Sequence, residues 1–170
     1  IPTLIEIAKK QKPMIISTGM ATLEDISYTL EKLHPINKDI IIMNCTSEYP
    51  PKYEDINVCL IPKLKEKFNI LVGHSDHTPD NYTCYAAVAR GARVIEKHII
   101  LDKTLPGPDQ NVSIDPIGLY QLVDGIRKIE KSLGKEKKIH NLEKPIKLWA
   151  RRSVVTIKDI KKGEKFTIEN

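Results

Sequence analysis

Four short runs of apolar, mostly β-branched residues recur along the chain, and each breaks into a polar stretch. They are KPMIIS at 12–17, DIIIMNC at 39–45, FNILVG at 68–73 and ARVIEKH at 92–98. Runs this short and continuous predict strands buried on both faces, as in a parallel sheet. Helical patterns lie between them. ATLEDISYTLEKL at 21–33 places Leu23, Ile26, Leu30 and Leu33 on one face, and Thr22 with Asp25 has the form of a capping box. The stretch at 53–68 predicts a weaker helix that Pro62 is expected to bend or interrupt. In DNYTCYAAVARG at 80–91, Asp80 is the expected N-cap and Gly91 the expected residue just past the end. The clearest helix runs over 115–134. Asp115 caps it, Pro116 occupies its first turn, and Gly134 ends it. Leu119, Leu122, Val123, Ile126, Ile129 and Leu133 form its apolar stripe.

Strand, loop and helix repeating four times at intervals of roughly 25–30 residues predicts βα units around a parallel sheet. A doubly wound sheet and a (β/α)8 barrel both have this pattern. A barrel needs eight units and about 250 residues, so if the fold is a barrel, four units in 170 residues are the C-terminal half of a TIM barrel. The chain opens on IPTLIEIAKK, amphipathic from its first residue and without an initiator Met, and reads as cut from something longer. The expected domains are a half barrel at 1–134, a polar linker at 135–150, and a truncated β-rich piece at 151–170. In that last piece a KKGE turn lies between SVVTI and KFTI.

Composition removes several function classes. The net charge is +5, but the lysines are scattered among acids. The densest run, KEKKIH at 135–140, lacks the interleaved aromatics of a nucleic-acid groove. The three cysteines are unpatterned and lie in apolar surroundings, which favours reduced thiols in a cytoplasmic protein. No apolar stretch approaches the ~20 residues of a membrane span.

The candidate chemistry gathers where the strands end. The first runs into Ser17, Thr18 and Gly19, and the second into Thr46, Ser47, Glu48 and Tyr49. The third leads to Ser75, Asp76, His77 and Thr78, and the fourth to Glu96, Lys97 and His98. In a parallel α/β architecture these carboxyl ends share one face, and ligands bind there. His77 and His98 end neighbouring strands and are placed to share one divalent cation, with satisfied structural histidines as the alternative. His74 is left out of that set. Ser17, Thr18 and Ser75 stand beside glycines and suit a phosphate or carboxylate, or else cap the next helix. The loop LDKTLPGPDQNVSIDP at 101–116 is stiffened by Pro106, Gly107 and Pro108. It presents Asp109 either as a sugar ligand and proton acceptor or as an ordinary turn acid.

Six segments in order, KPMIISTGMATLEDI, NCTSEYPPKYEDINV, GHSDHTPDNY, AAVARGARVIEKHIILDK, PGPDQNVSIDP and RRSVVTIKDIKKGE, resemble the sialic acid synthase family. That family includes the N-acetylneuraminate, legionaminate and pseudaminate synthases, and the PGPD loop is closer to the first two branches. The likeness covers essentially the whole chain. It implies a TIM barrel followed by a small antifreeze-like (SAF) domain, and a homodimer. The implied reaction condenses phosphoenolpyruvate with an open-chain N-acylated amino sugar, giving a nonulosonic acid and phosphate. The resemblance further implies that His77 and His98 hold Mn2+ or Mg2+, and that Ser17 and Ser75 bind the phosphate. It places Ser47 at a further polar contact, and Tyr49 and Asp109 on the sugar. Gln110 stands where many members have His, and His74 where many have Tyr, so the sugar pocket is expected to differ.

Residues of a preceding half barrel, and the small domain's arginine that reaches a partner's site, have no counterpart here. Arg151 and Arg152 belong to the linker motif. Two other readings remain open: a different metal-dependent barrel lyase or hydrolase using His74, His77 and His98 as a zinc site, and a non-catalytic half-barrel module. For the synthase reading, the 170 residues expressed alone are expected to be inactive. Sugar-dependent release of phosphate from phosphoenolpyruvate by that piece, at an enzyme-like rate, would refute this.

Overall fold

The isoleucine-rich runs form one four-stranded parallel sheet. Its strands are β1 (Met14–Ser17), β2 (Ile40–Cys45), β3 (Leu71–Asp76) and β4 (Ile95–Lys97), in the spatial order β1-β2-β3-β4. The computed structural model describes all 170 residues. Parallel neighbours that follow each other in sequence require a crossover each time, and helices supply it. α1 (Pro2–Ala8) precedes the sheet. α2 (Leu23–Leu33), α3 (Leu60–Phe68) and α4 (Tyr82–Ala89) connect the strands, and α5 (Pro116–Ser132) follows the last. The result is a parallel four-stranded sheet of βα units, as the periodicity predicts, in the half-barrel form that the family resemblance implies.

Local chemistry explains most of the boundaries. At α2 the Thr22 hydroxyl accepts from Asp25 N while Asp25 accepts from Thr22 N, a complete capping box. At α5 the Asp115 carboxylate accepts from Gly118 N, and Pro116 sits in the first turn. Gly91 follows α4 with φ +102°, a conformation that favours glycine. Asp80 is one residue outside its expected place, since the N-cap of α4 is Asn81. Asp80 still accepts from Tyr82 N at 3.0 Å.

Two expectations are corrected. Pro62 neither bends nor interrupts a long helix. α3 begins at Leu60, which puts Pro62 in the first turn, where no intrahelical partner awaits its missing N–H. The third strand also starts later than its apolar run. Phe68 closes α3, Asn69 turns left-handed at φ 50°, and pairing begins at Leu71. This shift brings His74, Ser75 and Asp76 into the strand itself.

The side chains then sort by parity. Met14, Ile16, Ile40, Ile42, Val72 and Ile95 point to the helix layer and pack with Ile26, Leu30, Leu33, Ile61, Leu64 and Ala87. The alternate positions, Ile15, Ser17, Met43, Cys45, Gly73 and Ser75, face the concave side. Ile15 is 55% exposed there, so the concave face of β1 is uncovered. Much of the apolar stripe of α5 is uncovered too: Leu122 is buried, but Leu119, Val123 and Leu133 are exposed.

Lys135–Asn170 forms a separate compact unit. The expected linker contains a helix, α6 (Glu143–Ala150), with Glu143 accepting from His140 N. The strands expected in 151–170 do not form a ladder. The KKGE turn is present, with Glu164 N donating to Lys161 O and Gly163 at φ +92°, and Ile157 N donates to Asn170 O. Val154, Val155, Phe166 and Ile168 remain exposed. A two-stranded ribbon with no further strand or helix on its apolar face is marginal in water, which accounts for the missing ladder.

Gly73 offers a direct test of strand packing. A Cβ there would lie 2.7 Å from the Val94 carbonyl oxygen and 2.3 Å from Met43 Sδ. The Met43 side chain can yield, but the Val94 backbone cannot. Gly73→Ala is expected to destabilise the fold by about 1–3 kcal/mol, read from urea unfolding.

Candidate functional site

The parity that buries Val72 and Ile95 against helices turns Ser75, His77, Glu96 and His98 to the concave side at the strands' carboxyl ends. Register then brings them together. Ser75 pairs with Glu96 across β3 and β4, and Asp76 pairs with Lys97. His77 and His98 each follow one residue after that last rung. Their rings lie 5.2 Å apart between centroids, with planes inclined at 79°.

The loop after β2 closes over His77. Thr46 O lies 2.8 Å from His77 Nδ1, and because a carbonyl only accepts, Nδ1 carries the proton. In a neutral ring with that tautomer, Nε2 keeps the lone pair with which imidazole binds metal. Tyr49 stacks on the His77 ring at 4.1 Å and meets His98 edge-on at 5.6 Å. Burial, with Cys45, Asp109 and Glu96 nearby, raises the Tyr49 pKa, so it stays a neutral hydroxyl. Asp109 Oδ2 sits 3.5 Å from His98 Nδ1. Tyr49, His77, His98 and Asp109 thus meet at one point, although they come from three different loops.

The serines are placed less uniformly. Ser75 is buried and donates to Glu96 Oε1 at 2.6 Å, so its proton is already engaged. Ser17 ends β1 on the concave face. Ser47 lies against the backbone of Gly19, where an added Cβ would fall 2.1 Å from Ser47 Oγ. The Ser17–Gly19 turn and Ser47 therefore adjoin. Thr18 is committed elsewhere, donating to Met43 O at 2.7 Å. Gln110 is not brought to the cluster. Its Nε2 donates to Leu105 O within its own loop, and its side chain lies against Gly107.

Two of the polar strand-end residues, Asp76 and Lys97, face the other way, and His74 goes with them. His74, Asp76 and Lys97 point into the helix layer. His74 Nδ1 lies 3.0 Å from Asn44 O, and its Nε2 is 3.5 Å from Asp76 Oδ1, too far for a full hydrogen bond. Lys97 Nζ meets Asp76 Oδ2 at 2.6 Å, and Thr83 Oγ1 donates to Asp76 Oδ1 at 2.7 Å. Burial by itself would push the Asp76 carboxyl up. The His74 ring, Lys97 and Thr83 together hold it well below the usual carboxylate range. The roles of Glu96 and Thr46 were not read from the sequence. Strict alternation outward from the strand cores would have separated Glu96 from Lys97. Nothing in the sequence marks a backbone carbonyl such as that of Thr46.

Comparison with known proteins gives this arrangement a lineage. The NeuB family model matches residues 1–138. The chain belongs to the NeuB family. Among characterised NeuB relatives, it is 42% identical over 175 residues to the N,N'-diacetyllegionaminic acid synthase of Campylobacter jejuni, covering 100% of this chain and 52% of that protein. It is 45% identical over 167 residues to a pseudaminic acid synthase of the same species, covering 96% and 48%. These two figures do not favour either branch. A crystal structure of N-acetylneuraminic acid synthetase from Leptospira borgpetersenii superposes with a TM-score of 0.78 at 31% identity, over 89% of this chain and 55% of that one. The NeuB chain spans about half the length of the curated relatives it matches.

The rim of the site is braced by Tyr53, whose hydroxyl donates to Asp80 and so ties the loop after β2 to the loop after β3. That bond, more than burial, pushes the Tyr53 pKa up to about 12. Asp80→Asn is expected to return it toward the ordinary value of about 10. Titration of tyrosinate absorbance in the wild type and the variant measures the difference.

Proposed function

We propose that this chain carries part of the active site of a nonulosonic acid synthase. The enzyme joins phosphoenolpyruvate to an open-chain N-acylated amino sugar of the N-acetylmannosamine type and releases phosphate. The observation that carries the reading is the His77–His98 pair, with rings 5.2 Å apart at the ends of neighbouring strands, beside Tyr49 and Asp109. The donor set suits a divalent cation. Two imidazole nitrogens backed by oxygen-rich surroundings accept Mn2+ or Mg2+ and leave positions for water and substrate oxygens. Such a cation supplies Lewis-acid polarisation of the sugar aldehyde.

The chain's own groups have distinct tasks in this reading. The Thr46 carbonyl fixes the tautomer of His77, and Tyr49 holds its ring plane. Ser17 and Ser75 bind the phosphate of phosphoenolpyruvate, Ser75 after its proton swings from Glu96, and Ser47 makes a further polar contact beside the Ser17–Gly19 turn. Asp109 and the Tyr49 hydroxyl orient the sugar, with Gln110 at the edge of that pocket after a rotation out of its loop. The methylene carbon of phosphoenolpyruvate bonds to the aldehyde carbon, water adds to the cationic carbon that results, and phosphate leaves as its C–O bond breaks. We read Lys135–Asn170 as the linker and first part of an antifreeze-like domain, and the full-length enzyme as a cytoplasmic homodimer.

A zinc-dependent lyase or hydrolase built on three histidines is less well supported. His74 lies on the opposite face of the sheet from His77 and His98, and nowhere in the structure do three His, Cys, Asp or Glu side chains gather as metal ligands.

The deciding experiment is phosphate release by the full-length protein with Mn2+, phosphoenolpyruvate and a panel of N-acylated amino sugars. Release is expected to require both substrates and the metal. His77→Ala should lower kcat by more than the roughly 100-fold typical of losing an outer-shell partner. Release independent of sugar, or unchanged in His77→Ala, would overturn the assignment.

A further inference from the structure

The two residues that precede the histidine pair form a contact the proposed chemistry does not use. Asp76 and Lys97 are Cα partners in the last rung of the β3–β4 ladder. Their side chains turn to the helix face and meet at 2.6 Å, with only 1% and 4% of their surfaces exposed. The Lys97 ammonium also donates to the carbonyl of Thr78. Asp76 and Thr78 are the neighbours of His77 on either side. One cation therefore grips the chain before and after His77, and it belongs to the residue directly before His98. The grip is itself fixed, because Asp76 accepts from Thr78 Oγ1 at 2.8 Å and Thr83 Oγ1 at 2.7 Å.

We propose that the buried Asp76–Lys97 pair is a positioning device for the cation site, setting the separation and orientation of His77 and His98 from behind the sheet. This rests on the reading of those histidines as metal ligands. At Asp76 and Lys97 the β3–β4 ladder ends; beyond it no ladder pair joins the two strands, and His98 O accepts from Ile114 N rather than from β3, so the two histidine backbones can move relative to each other. A pinned rung just before each ligand limits that motion, and lost preorganisation appears as weaker metal binding. A role in stability alone predicts otherwise. A buried ion pair is often matched or exceeded in stability by an apolar pair of similar volume, so an apolar replacement would then leave metal binding unchanged.

The test is Mn2+ titration of the full-length protein, followed by calorimetry or by the electron spin resonance of free Mn2+, alongside circular dichroism. The double variant Asp76→Leu/Lys97→Met leaves no buried charge unpaired. It is expected to stay folded yet bind Mn2+ about 10–100-fold more weakly. A folded double variant with wild-type affinity overturns the inference. If the double variant does not fold, Asp76→Glu decides, because it keeps both charges but moves the carboxylate by one methylene. Weaker Mn2+ binding in the folded Asp76→Glu protein supports the device, and unchanged binding removes it. His77→Ala separates this inference from the function it rests on. If His77→Ala weakens Mn2+ binding and the double variant does not, the metal reading stands and only the positioning role falls. If His77→Ala has no effect, both fall together.

Discussion

Successive residues of a β-strand point to opposite faces, and at the ends of β3 and β4 this geometry divides one polar cluster into two. Ser75, His77, Glu96 and His98 go to the concave side, while His74, Asp76 and Lys97 go to the helix layer. A slip of one residue would flip that strand's members: in β3 it would place an aspartate where His77 stands, and in β4 a lysine where His98 stands. Register is therefore the constraint on which the site depends. It is set by the apolar positions: Val72 and Ile95 must meet the helices, and that requirement fixes where every later residue of the two strands points.

The two clusters differ in how their acids are satisfied, although His74 Nε2 on the helix side is buried without a hydrogen-bond partner. On the helix side, Asp76 meets Lys97, Thr78 and Thr83 at short range, and almost no surface is exposed. Low local polarity strengthens such a network when its members are paired and penalises any that is not. On the concave side, His77 spends one nitrogen on Thr46 and has none assigned to the other, and Asp109 stands 3.5 Å from His98 without a full hydrogen bond. Groups arranged but left with free valence are what a ligand site requires. The rigid layer lies behind the sheet and the available layer in front of it.

The repeated apolar runs were enough to read four βα units and the parallel sheet, because continuous β-branched runs have few other solutions. The capping box at Thr22 and the Asp115–Pro116 start were equally legible, being local in sequence. Boundaries at Pro62 and Phe68 were harder. A proline is compatible with a helix's first turn as well as with its end, and the left-handed turn at Asn69 carries no apolar signal. The strands expected in 151–170 failed for a non-local reason. Propensity proposes a strand, but a ladder needs a covered face, and Val154, Phe166 and Ile168 have none.

The site was legible in part for the same reasons. His77, His98, Tyr49 and Asp109 follow apolar runs or sit in a proline-stiffened loop, so the positions of the elements bring them together. Side-chain direction was legible only where parity could be counted from a buried residue. His98 can be placed by counting from Ile95, and by the same count Lys97 belongs behind the sheet. Gln110 lies in a loop with no such period, and its amide nitrogen is engaged by the backbone of Leu105 while its oxygen has no partner. What periodicity cannot supply is the choice of tautomer at His77, since that depends on a carbonyl from another strand's loop. That choice decides which nitrogen stays available: with Nδ1 donating to Thr46 O, Nε2 is the nitrogen left without a protein partner.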